Sequence, residues 1–286
     1  MPRATTRKRN ATASKTSDIE SLDLMRTGMP ARDSIVKVWR HSKPSGAKKT
    51  SGAKSMKAAA SGVAAFRIIR TNEVDGYEKG ATAEGTLAKM SAATPSAAAA
   101  NDNFTGTQRR AAKISIAKAP LRTYTDLKNL VRYLPTDESM IKRTPKIGKT
   151  ATSDRVEEEM RNVRVKVFLY AASRENDNDY HLILGRDPSK TPELYITMEL
   201  SGLPPADSTA FAKLKAARDA FKAHFASDLP GKTYDFYDPP RPVEIEGSMF
   251  FDIGHATGTR PGPRSLKSRM PTVWEVHPIT KIVFNP

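Results

Sequence analysis

Three short strings hold the side chains best suited to chemistry: Asp179-Tyr180-His181, Asp252-Ile253-Gly254-His255 and Glu275-Val276-His277. The chain has five histidines, four of them after residue 160, and three of those four follow an acid by two or three positions. On a strand, residues i and i+2 face the same side. Asp179 therefore shares a face with His181, and Glu275 with His277, if both lie on strands. Where such faces converge, three imidazoles and three carboxylates suit a divalent ion such as Zn²⁺ or Mn²⁺. The same groups suit metal-free proton transfer between carboxylate and imidazole. The structural reading is that the histidines are packing residues with a satisfied hydrogen bond, and the acids cap turns or pair with arginine. Spacing alone leaves the three readings open, because it does not fix strand register.

A second set points to nucleic acid. Tyr170, Tyr180, Tyr195, Phe250, Phe251 and Trp274 fall on segments that read as strands. Small barrels stack unpaired bases on such rings beside a basic groove. Tyr180, Tyr195 and Trp274, with Arg260, Arg264, Lys267 and Arg269 of a Gly/Pro/Arg-rich loop, form the candidate binding surface; Arg164, Lys166, Arg174 and Arg186 add charge. The alternative is that the rings are core and the loop is solvated. No phosphate-cradling glycine motif, nucleophile elbow or zinc-finger spacing is present.

These side chains need strands to position them. Val163, Val165, Val167 and Leu169 alternate with Arg164, Lys166 and Phe168, the period of a half-buried strand. Segments 180–184 and 194–200 read as the next two strands. A helix from Asp207 or Ser208 to about Phe225 carries the stripe Phe211, Leu214, Ala217, Phe221 and Phe225. After Pro239-Pro240, a fourth strand runs from Val243 through Gly247, a glycine suited to a bulge or sharp bend. The fifth runs from Val273 to Phe284, with Pro278 at an edge or bulge. The order β-β-β-α-β-β predicts a β-rich (all-β or α+β) domain over 161–286. It is expected to be a five-stranded OB-like barrel with one helix between strands 3 and 4; a small α+β sheet is the alternative. Before it, residues 1–33 read as a disordered basic tail. Residues 34–78 read as a short strand pair with a low-complexity insert. Residues 79–160 read as a low-complexity linker with one short helix over 124–134, capped by Thr125 or Asp126.

The strings Asp179-Tyr180-His181-Leu182-Ile183-Leu184, Phe250-Phe251-Asp252-Ile253-Gly254-His255 and Trp274-Glu275-Val276-His277-Pro278-Ile279 resemble a group of uncharacterised bacterial proteins. That group carries D-x-H-L-hydrophobic-L, F-F-D…H-G and E-hydrophobic-H-P-V motifs. The resemblance covers residues 160–280, excludes the basic N-terminal half and implies no activity. The calcium-site and arginine pattern of OB-type thermonucleases has no counterpart here.

Composition bounds the function classes. The hydrophobic share is 38 %, below the roughly 45–50 % of globular chains, so part of the chain is expected to lie outside any core. Residues 1–60 hold 14 Lys/Arg against 4 Asp/Glu, whereas residues 151–286 hold 18 against 19. The net +16 is thus concentrated in the N-terminal half, which becomes the main expected contact for a polyanion. The absence of cysteine excludes disulfides, thiol nucleophiles and cysteine-ligated metals. No apolar run approaches the roughly 20 residues of a spanning helix, so the chain is read as soluble and cytoplasmic. The leading expectation is an OB-like module that binds a polyanion, nucleic acid first. The rivals are a metal-dependent hydrolase or nuclease using the Asp/Glu-His set, with a divalent metal as its cofactor, and a non-catalytic scaffold or envelope-associated protein.

Overall fold

The computed structural model describes residues 66–74 and 102–286, together with the backbone of the strand Ile35–Trp39. The predicted basic tail and most of the low-complexity stretches lie outside the described residues. The strands are β1 Ile35–Trp39, β2 Phe66–Arg70, β3 Leu121–Tyr124, β4 Asn162–Arg174, β5 Tyr180–Gly185, β6 Tyr195–Leu200, β7 Asp235–Phe251 and β8 Trp274–Phe284. The helices are α1 Arg110–Lys113, α2 Leu127–Tyr133, α3 Asp137–Lys142, α4 Phe211–Phe225 and α5 Ile253–Ala256. None of them is long and apolar enough to cross a membrane.

All eight strands join one sheet in the order β1-β2-β7-β8-β6-β5-β4-β3, and β7 also pairs with β4. Following neighbours from β4 through β5, β6, β8 and β7 therefore leads back to β4. The pairings in this circuit are antiparallel except β6 with β8. Inside it lie the alternating residues of the strands: Val163, Val165 and Val167 of β4, Leu182 and Leu184 of β5, Met198 of β6, Ile245 of β7 and Val276 of β8. Helix α4 adds Ala217, Phe221 and Phe225 to the same core. The predicted stripe thus does bury, although Phe211 is only partly covered.

Four features differ from the sequence reading. Strand β7 starts at Asp235, well before Val243. Residues 235–238 pair with β2, and the ladder to β4 skips from Arg241 to Phe236, so Pro239 and Pro240 sit where β4 needs no donor. The predicted strand pair exists as β1 and β2, and β2 docks on β7. The helix expected over 124–134 is the shorter α2, preceded by β3, which runs parallel to β4. Asp126 caps α2, its Oδ1 accepting from Lys128 N at 2.7 Å; Thr136 caps the unexpected α3.

The fourth difference matters most for function. Residues 102–160, read as linker, pack on the sheet. Phe104, Ala112, Leu127, Leu130 and Met140 are buried, and Asn103 bridges to Leu203. Leu127 and Leu130 belong to the predicted helix, whereas Phe104, Ala112 and Met140 are isolated anchors outside any predicted element.

Gly247 behaves as expected. The β7–β8 register shifts on both sides of it, and an added Cβ would lie 2.4 Å from the Pro278 carbonyl oxygen and from a Val276 methyl. Overpacking there is expected to lower unfolding free energy by about 1–3 kcal/mol in Gly247→Val. Gly231→Ala, where a Cβ meets nothing within 4 Å, should stay near wild type. Denaturant titration of both variants checks the contrast.

Candidate metal centre

Strands β5 and β6 are buried on both faces. One face supplies the core. Alternation sends His181 of β5, Glu199 of β6, and Glu275 and His277 of β8 to the other face. Register then brings them together: His181 stands opposite Glu199, and Met198 opposite Val276, so Glu199 lies beside His277. Asp179, just before β5, joins from the adjoining turn.

His277 is the hub. Its Nδ1 lies 2.8 Å from Glu199 Oε2 and 3.5 Å from Glu275 Oε2, and its Nε2 lies 3.5 Å from Asp179 Oδ2. His277 Nδ1 faces Glu199 at ion-pair distance, whereas His277 Nε2 and both Glu275 oxygens are buried without an aligned hydrogen-bond partner. Such orphaned groups are rare in native interiors and call for an explanation such as a proton or an ion. One donor atom each from Asp179, Glu199 and His277 fall within 4.8 Å of one another. Two carboxylates and an imidazole form a donor set for a borderline divalent ion, so the residues present fit a metal.

Electrostatics at the cluster is lopsided. Burial, reinforced by Asp177 and Glu199, pushes the Asp179 carboxyl well above its ordinary value. Burial, with Glu199 and Asp252, does the same to Glu275. Burial opposes the charge of Glu199 as well, but the His277 ring and the Lys113 ammonium outweigh it and hold Glu199 well below the usual range. Burial likewise disfavours charge on Lys113, yet Glu199, Asp179, Asp177 and Asp252 together raise it well above an ordinary lysine. Lys113 is a fixed cation among acids, with its Nζ 3.9 Å from Asp177 Oδ2.

Segment 102–113 covers the cluster and is locked in place. Arg109, buried and in the left-handed region at φ 51°, makes a two-pronged pair with buried Glu159, both contacts 2.7 Å. It also donates to the Phe251 and Asp154 carbonyls. A non-glycine residue at such φ needs support from its surroundings, and this fork supplies it. Arg155 ties Ala112, Ser115, Met249 and His277 together through their carbonyl oxygens. Gly202 lets the chain cross closely, since a Cβ there would sit 2.6 Å from Phe104 Cα. Its N–H donates to Asp179 Oδ1 at 2.5 Å.

Beneath this cover is a cavity of about 280 Å³, lined in part by Gln108, Lys113, His181, Glu199, Asp252 and His255, with Glu175 and Asp177 at its rim. Asp252 Oδ1 accepts from Gly254 and His255 N–H and so caps α5. His255 Nδ1 lies 2.7 Å from the Thr259 carbonyl. A carbonyl only accepts, so Nδ1 carries the proton and Nε2 is the basic nitrogen. That Nε2 is 3.8 Å from Asp252 Oδ2. His181 Nδ1 contacts Glu175 Oε1 and the Tyr234 hydroxyl, each at 3.3 Å.

The six candidate residues therefore separate into two groups. His181, Asp252 and His255 line the cavity, whereas Asp179, Glu275 and His277 are buried behind Glu199 and do not line it. Sequence reasoning missed Glu199, Lys113, Glu175 and Asp177 as site residues. Glu199 had a signal: an acid between Met198 and Leu200 in an otherwise apolar strand must find a partner. Lys113 had none.

The predicted nucleic-acid surface is corrected. Tyr180, Tyr195 and Trp274 are buried, because both faces of their strands are covered, and offer no ring for a base. In the loop, Arg269 pairs with Glu193 and donates to the Ser265 carbonyl. Arg260 donates to Met270 O and lies 3.5 Å from Asp137. Arg264 is exposed and Lys267 half-buried, so the loop presents less free charge than its composition suggests. No family model, curated protein or solved structure matches the chain.

The raised Glu275 value has a testable sign. A group that holds its proton in the folded state above the unfolded value of 4.5 costs stability as pH rises through that window. In chelator-treated protein, Glu275→Gln should gain stability relative to wild type, and the gap should widen as pH rises above 4.5. Denaturant unfolding at several pH values measures it; a constant gap contradicts the assigned burial of a protonated carboxyl.

Proposed function

We propose that the chain is a divalent-metal-dependent hydrolase whose centre is held by Asp179, Glu199 and His277. The observation that carries this reading is the buried donor set of Asp179, Glu199 and His277 within 4.8 Å of one another, with Glu199 also lining the cavity. A bound divalent ion supplies a water of lowered pKa and a Lewis acid for the scissile group. The chain's own residues do the rest. His255 Nε2, kept basic by the Thr259 carbonyl, accepts the proton of the attacking water and returns it to the leaving group. Asp252 holds the His255 backbone by accepting its N–H. Lys113 neutralises the anionic oxygen that develops in the transition state. Glu275, 3.5 Å from the same Nδ1 that Glu199 approaches, packs a second carboxyl against the imidazole, and the 102–113 cover excludes bulk water.

As scaffold we propose a five-stranded OB-like barrel. The closed circuit of pairings, the parallel β6–β8 pair and the single long helix between β6 and β7 support it. OB barrels bind ligands on the face of strands 2 and 3 and on the loops after strands 1 and 4. The cavity is lined from the corresponding places: His181 and Glu199, Glu175 and Asp177, and Asp252 and His255.

Elemental analysis of protein purified without chelator is expected to find close to one equivalent of zinc or manganese. Asp179→Asn and His277→Gln should lose it. An activated phosphodiester and an activated carboxylic ester identify the bond type. On the responsive substrate, Lys113→Met should keep the metal and lower kcat by about 10²-fold or more. A metal-free wild type that still hydrolyses either substrate would instead make the cluster a pure acid/base device.

A further inference from the structure

We infer that the corner between β3 and α2 is a binding site for single-stranded nucleic acid, separate from the cavity above and independent of the hydrolase reading. An open pocket of about 480 Å³ lies there, lined by Arg122, Thr123, Tyr124, Thr125, Asn129, Arg132 and Tyr133. It shares no lining residue with the metal-centre cavity and has no carboxylate in its wall.

Its cations are preorganised. The Arg122 guanidinium stacks 4.0 Å from the Tyr133 ring centre, and Arg161 lies 4.7 Å from the same ring. Arg161 Nη1 also donates to the Tyr133 carbonyl at 3.1 Å. A guanidinium held by stacking keeps its N–H fork for phosphate oxygens. Among the described residues, neither Arg122 nor Arg132 forms an ion pair with a carboxylate. Aspartate 126, the nearest acid in sequence to the pocket wall, is occupied by the Arg186 guanidinium at 2.8 Å.

The surroundings suit bases as well as phosphates. Tyr133 is 42 % exposed, and two further large apolar side chains, Leu121 at 44 % and Met160 at 38 %, are exposed nearby. Leu121 begins β3 opposite Asn162, two residues after Met160. These three are most of the exposed large hydrophobics among the described residues, the remaining one being Val283 at 36 %. Stacked Arg–Tyr planes and apolar side chains beside free guanidinium forks match the combination that binds unpaired strands without sequence preference. Thr123, Thr125 and Asn129 add hydrogen-bonding groups. An acidic peptide would use the forks but leave the rings and apolar side chains without a role. The 29 Lys/Arg against 12 Asp/Glu in residues 1–150 favour the same polyanion.

The test is fluorescence anisotropy of a labelled single-stranded oligonucleotide with the full chain, across a salt series. Arg122→Gln/Arg132→Gln is expected to weaken binding about tenfold or more, and to reduce the slope of log affinity against log salt by about 1.4, two phosphate contacts on a single strand. Tyr133→Leu, which keeps every charge, should weaken binding about fivefold or more at high salt, the low end of a lost stack. Wild-type affinity in both pocket variants overturns the proposal and leaves binding to the other basic segments. Equal competition by polyaspartate or anionic vesicles, at matched charge, overturns it in favour of a site for acidic peptide or lipid.

Discussion

Three carboxylates surround one imidazole in a buried part of the sheet. Asp179, Glu199 and Glu275 all lie within 3.5 Å of a His277 nitrogen, and none of the four is appreciably exposed. Like charges at such distances in a poor dielectric are unfavourable unless protons or cations intervene. Much of the surrounding architecture answers this constraint. Lys113 is placed among the acids from a single-turn helix. That turn is fixed by the Arg109–Glu159 fork and by Arg155, and Gly202 clears the way for the backbone that covers the site. Removing the fork would therefore disturb more than one buried ion pair: it would release the one lysine among the described residues that lines the cavity.

The sheet makes the cluster possible by burying both of its faces. β5 and β6 each present one row of side chains to the core and the other to the cover, so ionisable residues on the second row are desolvated without entering the core. The bulges in β7, at Gly247 and around Pro239 and Pro240, let one strand pair in turn with β2, β4 and β8. The circuit of strands closes on that strand. It also places Asp252, immediately after β7, at the wall of the cavity opened by the turn before β5.

Much of this was legible from residue order. The alternation of Val163, Val165 and Val167 marks β4, the Phe221 and Phe225 stripe marks α4, and Gly247 marks the bend. Asp179, Glu275 and His277 were recognisable as a potential centre because i and i+2 spacing on strands has geometric content. Glu199 was missed because its strand was read only for apolar character. Lys113 was hidden because its segment has neither period nor motif, and only tertiary contact explains its order. The aromatic expectation failed for a related reason: alternation tells which residues share a face but not whether that face is covered. Tyr180, Tyr195 and Trp274 are covered, whereas Tyr133, on the short helix α2, is open.

The most direct test of the central claim is anomalous scattering from crystals grown with Mn²⁺. The account predicts one strong peak about 2.0–2.3 Å from a carboxylate oxygen of Asp179, one of Glu199 and a ring nitrogen of His277, absent in Asp179→Asn. Full-occupancy Mn²⁺ elsewhere, with Asp179 and Glu275 protonated and hydrogen-bonded to their neighbours, would contradict it and make the cluster a proton-sharing network.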